Sequence, residues 1–409
     1  MRTEGFRKAL ILAAGLIFSQ PLFAQHVFTV LPRSAGENGN PISFMRPHYV
    51  IHTSTASSQS APPASAFAPA QLRHAYGFDR VTNEGKGQMI GIVDAYDNPN
   101  AESDLGVFDA QFGLPACTSS NGCFRKVYSN GRKPATNANW AVEMSLDVEW
   151  AHAIAPQATI LLVETPSNSL SDLVTGVDFA VRNGASVVSM SWTVSEFSGE
   201  AQTDNHFVSN GVTFLAASGD AGNGAVYPAA SPDVVGVGGT SLYLNANGSY
   251  QSETAWSGSG GGLSKYEREP SFQAQFAIPD DPHGYRGAPD VSYDADPSTG
   301  FAVYDSFGMD GYSGWFQVGG TSAGSPQWAA LIAIANSMRA AARKTNLSSM
   351  NTSFYSLAKT AEATDFFAVT QGTNGTCGAI CTASAGYDYI TGLGTPQAAA
   401  MIGALAALR

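Results

Sequence analysis

The chain has 409 residues, of which 44% are hydrophobic and only 13% charged, with a formal net charge of −12. That balance suits one large globular domain with processed segments, or two ordinary domains, and argues against nucleic acid or an anionic membrane as partner. The 43 glycines favour a loop-rich α/β protein over a helical bundle.

At the N-terminus, Arg2, Arg7 and Lys8 precede an apolar run, Ala9 to Phe18, that is too short to span a bilayer. Pro21-Leu22-Phe23-Ala24 follows, so residues 1–24 read as a secretory signal peptide with the cut after Ala24. This implies a secreted or periplasmic protein, and no later stretch reaches transmembrane length. Residues 25–69 differ from the rest. Ser54 to Ala70 is rich in Ser, Ala, Gln and Pro with hardly a charge, as in a linker or a removable segment. Ordered sequence is expected to resume near Ala70 and run to residue 409.

From Gly87 onward, strand and helix patterns alternate. Met89 to Val93 is an apolar run ending at Asp94, and Val142 to Ala153 has helical spacing that stops at Ala155-Pro156. Ala158 to Val163 reads as a strand and Leu170 to Val181 as a helix. Val187 to Trp192, Val212 to Ala217 and Val234 to Val237 are further strand candidates. The alternation predicts a mainly parallel sheet with helices on both faces, whose site lies at the carboxyl ends of strands. Four cysteines, Cys117, Cys123, Cys377 and Cys381, predict two local disulfides in an exported protein; one four-thiolate zinc site is the alternative. Asn247, Asn346, Asn351 and Asn374 head glycosylation triplets.

Three places carry chemistry. In Gly319-Gly320-Thr321-Ser322-Ala323-Gly324-Ser325-Pro326, a strand over Trp315 to Val318 turns sharply into a long apolar run, with Ser322 at the start of a helix. A serine so placed, near free N–H groups and the positive dipole end, can act as a nucleophile if something takes its proton. In the helix over Val142 to Ala153, Glu143 and Asp147 lie four residues apart, flush with the apolar stripe of Val142, Leu146 and Trp150. Paired carboxylates at this spacing are tolerated when they share a proton. Glu149 is expected on a solvated acidic face. Ser218-Gly219-Asp220-Ala221-Gly222 follows a strand and so sits at a carboxyl end.

Glu143-x-x-x-Asp147, Ser218-Gly219-Asp220 and Gly320-Thr321-Ser322, in that order, resemble the sedolisins, the serine-carboxyl peptidases. The likeness extends to Gly258-Ser259-Gly260-Gly261-Gly262 and to Asp365–Pro396, and covers most of residues 70–409. It implies a single subtilisin-like catalytic domain that hydrolyses peptide bonds in acid, as an endopeptidase or a tripeptidyl peptidase. By the same resemblance Ser322 is the nucleophile, Glu143 the general base, Asp147 the acid that orients it, and Asp220 the oxyanion-hole residue. A glutamate with an ordinary pKa near 4.3 remains available in acid where histidine does not.

The resemblance also implies one calcium ion, held by the carboxylates of Asp365 and Asp388 and the carbonyls of Phe366, Ser384 and Gly386. Ser384 and Thr193 stand where the family commonly has glycine, and the Cys377–Cys381 insert alters the loop beside the metal residues. The expected partners are protein or peptide substrates, with no nucleic acid, no stable membrane anchor and a monomeric state. Only a short stretch precedes the matching region, where sedolisins carry a large folded propeptide. Two rival readings are a subtilisin-type Asp94–His152–Ser322 peptidase and an inactive peptide-binding relative.

Overall fold

The computed structural model describes residues 26–28, 44–53, 58–279 and 284–409. The expected signal peptide, residues 1–24, lies outside them. Among the described residues no helix is long and apolar enough to cross a membrane.

An eight-stranded sheet forms the centre. In spatial order it runs Tyr250–Ala255, Val235–Leu244, Thr213–Ala217, Val187–Met190, Met89–Ala95, Thr159–Thr165 and Phe124–Tyr128, with Val291–Asp294 also paired to Val235–Leu244. All pairings are parallel except that of Val235–Leu244 with Tyr250–Ala255. The central strands are apolar on both faces because helices cover both. Gly91 and Val93 meet the helix Leu170–Arg182: a Cβ on Gly91 would lie 3.1 Å from Ala180 Cβ, and Val93 packs under Gly176. Alternation along the strand therefore turns Asp94 to the opposite face, where Ala138–Ile154 and Gly324–Ala341 pack against the sheet and each other.

The helix Ala138–Ile154 departs from the sequence expectation. Trp140 to Ile154 are buried without a break, Glu149 included. The acidic face has no solvent to reach because the helix is enclosed by the sheet, by Ala101–Phe112, by Gly324–Ala341 and by the strand Phe301–Met309. A helix with neighbours on every side is buried all round, and amphipathic spacing then loses its meaning. Glu149 Oε2 accepts from the Tyr304 N–H at 3.1 Å.

Two strand expectations also need adjustment. The run Val187 to Trp192 breaks at Ser191. Val187–Met190 belongs to the central sheet, whereas Trp192–Ser195 pairs with Arg46–Pro47 and Val226–Tyr227 in a separate sheet. The strand leading to Ser322, Tyr312–Gly319, lies in an antiparallel sheet with Phe301–Met309 and Val50–Thr53. The two local disulfides, Cys117–Cys123 and Cys377–Cys381, are both formed, so the four cysteines do not gather at one metal site.

Candidate active site

Four segments converge on one buried place. Gly320 enters the turn with φ +120°, a conformation that L side chains rarely adopt. Thr321–Ala323 then form a short 3₁₀ turn that runs into the helix Gly324–Ala341, which sets Ser322 just ahead of the helix proper. The Ser322 hydroxyl makes only a long 3.5 Å bond to the Ser191 carbonyl. The break at Ser191 serves this arrangement: its Oγ donates to Asp147 Oδ1 at 2.8 Å and its carbonyl faces Ser322.

Glu143 and Asp147 come from the enclosed helix, and both are fully buried. Neither oxygen of Glu143 has a hydrogen-bond partner, and Asp147 Oδ2 has none. Burial pushes the Glu143 carboxyl well above the ordinary range, and the charges of Asp147, Asp94 and Asp220 add to it; only the nearby Ser322 hydroxyl favours the ionised form. Asp147 is raised for the same reasons, by burial and then by Asp94, with Ser191 opposing. The expectation of an ordinary glutamate pKa is thus corrected, since desolvation dominates at this depth.

Asp220 arrives from the carboxyl end of Thr213–Ala217. Its Oδ1 accepts from the N–H and the hydroxyl of Thr321, both at 2.8 Å, while Oδ2 is buried and unpartnered. Burial raises its pKa to about 6. The turn that carries it rests on the glycine-rich loop: Gly260 N–H donates to Gly219 O at 2.6 Å, and a Cβ on Gly260 would fall 1.9 Å from Ser218 O. Only glycine fits there.

The structure therefore brings Glu143, Asp147, Asp220 and Ser322 together, and adds Asp94. The last is fully buried, both its oxygens are unpartnered, and burial lifts its pKa to about 8. Sequence spacing offered Asp94 only as a partner for His152. Its position at the carboxyl end of a central strand was the available signal. His152 does not join the site. Nine residues along the helix from Glu143, it lies roughly 13 Å further on. There Nε2 faces Pro115 O at 2.8 Å and Asp109 Oδ1 at 3.4 Å. The Asp94–His152–Ser322 constellation is not formed.

The residues expected to hold calcium lie elsewhere. Asp365 ends the helix Met350–Asp365, Phe366 pairs opposite Pro396, and Asp388 bridges to Gly392 a few residues before that pair. Asp388 Oδ1 accepts from the N–H groups of Ile390 and Thr391, both at 2.8 Å. Asp365 Oδ2 is buried and unpartnered.

Residues 135–409 match the family model described as "Subtilase family". Kumamolisin of Bacillus sp. (strain MN-32) is 31% identical over 403 residues, covering 88% of this chain and 68% of kumamolisin. Sedolisin of Pseudomonas sp. (strain 101) is 28% identical, and the match spans 75% of this chain and 56% of that protein. The solved structure of Pseudomonas sedolisin complexed with two molecules of pseudo-iodotyrostatin superposes with a TM-score of 0.69 at 25% identity, covering 84% of this chain and 98% of that one. A lanthipeptide protease, at 14% identity and a TM-score of 0.52, shares the fold alone. With the ordered motifs, the subtilisin-like sheet and these matches in hand, the chain belongs to the sedolisin family of serine-carboxyl peptidases.

Proposed function

We propose that this chain hydrolyses peptide bonds in acid, with Ser322 as nucleophile, Glu143 as general base, Asp147 as the acid that orients and tunes it, and Asp220 as oxyanion donor. One observation carries the reading: a fully buried glutamate with no hydrogen-bond partner stands beside the serine at a helix start. An unpaired buried carboxylate is costly and persists where it has work to do.

The raised pKa values fit acid chemistry. Glu143, Asp147 and Asp94 cannot all ionise in one dry site, so their protons are held in common. In acid Asp147 and Asp94 stay neutral, so the repulsion they add to the burial cost on Glu143 is gone, and the nearby Ser322 hydroxyl, which favours the ionised form, makes Glu143 the carboxyl that gives up its proton to act as base. Glu143 then takes the Ser322 proton as Oγ attacks the carbonyl carbon, and returns it to the leaving amine. Asp220 is protonated below about pH 6. Its Oδ2 then donates a hydrogen bond to the oxyanion beside the Ser322 N–H.

The same reading includes one calcium ion. The donor set suits it, since Asp365 offers a buried oxygen that nothing else satisfies and Gly386, at φ +82°, leaves the loop open. Asp365 and Asp388 would supply carboxylates, and Phe366, Ser384 and Gly386 carbonyls; the ion would hold the two loops together. Residues 1–24 support export to a secreted or periplasmic location, and we take the enzyme to be a monomer acting on proteins or peptides.

The test is cleavage of a peptide library at acidic pH by the parent and by Ser322→Ala. Turnover by the parent and none by the variant is expected; equal turnover by both would refute the assignment. Chelation should lower the melting temperature, with calcium found on metal analysis. An unchanged melting temperature and no bound metal would remove the ion from the account.

A further inference from the structure

Residues 44–53 cross the site, and their contacts report what its walls accept. Arg46–Pro47 pair antiparallel with Trp192–Ser195, Arg46 opposite Thr193 and Pro47 opposite Trp192. Beyond them the His48 carbonyl accepts from the Ser322 N–H at 3.3 Å. His48 therefore stands where a peptide substrate places the residue whose carbonyl the serine attacks. Thr193 lies across from Arg46, and side chains two apart share a face, so Thr193, Arg46 and His48 point to the same side of this small sheet.

The wall facing the His48 ring is small and carries one polar group. The imidazole Nε2 hydrogen-bonds the Thr193 hydroxyl, which has no other partner among the described residues. Thr193 is itself buried. At the far side of the ring is Gly219, at φ +95°. A Cβ built there would lie 3.5 Å from Val226 Cγ2, 3.8 Å from His48 Cε1 and 3.9 Å from Thr193 Oγ1, so these groups enclose the tip of the ring. Val226 is held in place by its pairing with Ser195 on the Thr193 strand. Thr193, Gly219 and Val226 bring no charge, and Asp220, the next residue after Gly219, is neutral below about pH 6. Withdrawal of the ring from water and, after it, the Arg46 charge lower the His48 pKa to about 4, so the pocket disfavours a cation. A buried hydroxyl left without a partner costs free energy, so a side chain that cannot bond Thr193 is penalised.

We propose that Thr193 determines specificity in this cleft: just before the scissile bond it selects an uncharged side chain with a hydrogen-bonding atom at its tip, such as glutamine or neutral histidine, over an aliphatic or cationic one. The inference rests on the peptidase reading above and deepens it. Thr193 touches the substrate side chain and takes no part in proton transfer. Its hydroxyl donates to a ring nitrogen or an amide oxygen, or accepts from a ring or amide N–H. Valine at this position keeps the branched shape and loses the bond, whereas serine keeps the bond. Glycine, which the family commonly has here, offers neither, so the selectivity belongs to this chain and not to the family pattern.

The experiment compares the parent, Thr193→Val and Thr193→Ser at about pH 4, within the carboxyl titration range. The probes are the peptides Phe-Met-Arg-Pro-X-Tyr-Val-Ile, which follow residues 44–51 with X at position 48, where X is glutamine, leucine or lysine. The same set without Phe-Met serves an enzyme that releases tripeptides from a free amine. Cleavage after X is followed by mass spectrometry, and kcat/KM is taken as a ratio between peptides, so a change in the folded or active fraction cancels. The parent should favour glutamine over leucine by at least about 5-fold, the scale of one hydrogen bond, and should cut the lysine peptide more slowly than either. Thr193→Ser should keep the preference for glutamine over leucine, and Thr193→Val should abolish or invert it while still disfavouring lysine. A parent that cuts the leucine peptide as well as the glutamine one, or a Thr193→Val enzyme with the parental ratio, would overturn the proposal and leave the peptidase reading standing. So would a parent that hydrolyses other peptides but none of these. Failure to hydrolyse any peptide would remove both readings together.

Discussion

Two buried carboxylates mark two different kinds of place in this protein. Asp290 is fully buried, yet both its oxygens are satisfied. Arg286 Nη1 and Nη2 donate at 2.9 and 2.6 Å, the Tyr355 hydroxyl at 3.1 Å and the Gly236 N–H at 2.8 Å. Arg286 in turn donates to the Gly287 carbonyl and lies over the Phe272 ring. Glu143 is equally buried and has no partner on either oxygen; its neighbours are other acids. The first arrangement satisfies every oxygen of the carboxylate and ties the loop after Tyr285–Ala288 to the sheet. The second holds protons that can move. A buried acid with a complete set of donors is structural, and one left without donors beside a serine is a centre for proton transfer.

Substitution should separate the two sharply. Ser322→Ala and Glu143→Gln are each expected to cost about 10⁴- to 10⁶-fold in kcat, the scale on which members of such a unit act together, with the melting temperature held or raised. The sign for Glu143 follows from its raised pKa. The parent's folded state favours the protonated acid, so that contribution is fully present below the unfolded value of about 4.3 and is lost as pH rises through the higher folded value. Glutamine escapes that loss, and its stability advantage should widen with pH in thermal melts. Arg286→Met should show the reverse pattern, losing about 3–5 kcal/mol of stability by stranding Asp290, with kcat of the folded fraction near that of the parent. A large stability loss in Glu143→Gln, or a small one in Arg286→Met, would break the distinction.

Gly320→Ala tests the space between the site's oxygens. Its Cβ would fall on the point flanked by His48 O and Asp220 Oδ2, at a φ that strains any side chain. A loss of about 10²- to 10³-fold is expected, as for removal of an oxyanion donor. The smallest effect should come from His152→Ala. That residue is enclosed beside Pro115 and Asp109, away from the serine. Its folded fraction should keep near-parental kcat in steady-state assays, even if its melting temperature falls.

Much of this was legible in the sequence, and particular residues show where legibility stops. The alternation of apolar runs gave the parallel sheet because its strands are buried on both faces and carry no competing signal. The spacing of Glu143 and Asp147 revealed a shared helix face, and Gly320 with Ser322 revealed a sharp turn into a helix. Glu149 was placed on a solvated face because spacing records only the helix's own geometry. It cannot register the strand Phe301–Met309 that closes over that side. Asp94 faces the helix that carries His152, but chain order does not say which turn of that helix stands opposite it in space: Glu143 and Asp147 do, and His152 lies roughly 13 Å along the helix from Glu143. The pairing of residues 46–53 with strands more than a hundred residues away was invisible for the same reason. Compositional bias beginning at Ser54 drew attention away from it. The proton affinity of Glu143 depends on burial, which no local motif encodes.

The measurement that bears most directly on the central claim is the rate of peptide cleavage from about pH 3 to 8, which spans the carboxyl and histidine pKa values, for the parent, Glu143→Gln and Asp220→Asn. The account predicts a parent rate highest in acid that falls as pH rises through about 6, where Asp220 loses its proton and can no longer donate. It predicts a nearly inactive Glu143→Gln. Asp220→Asn should retain part of the activity and lose the decline near pH 6, since an amide donates at any pH. A parent optimum above neutrality, or a folded Glu143→Gln enzyme working at near-parental rate, would contradict it.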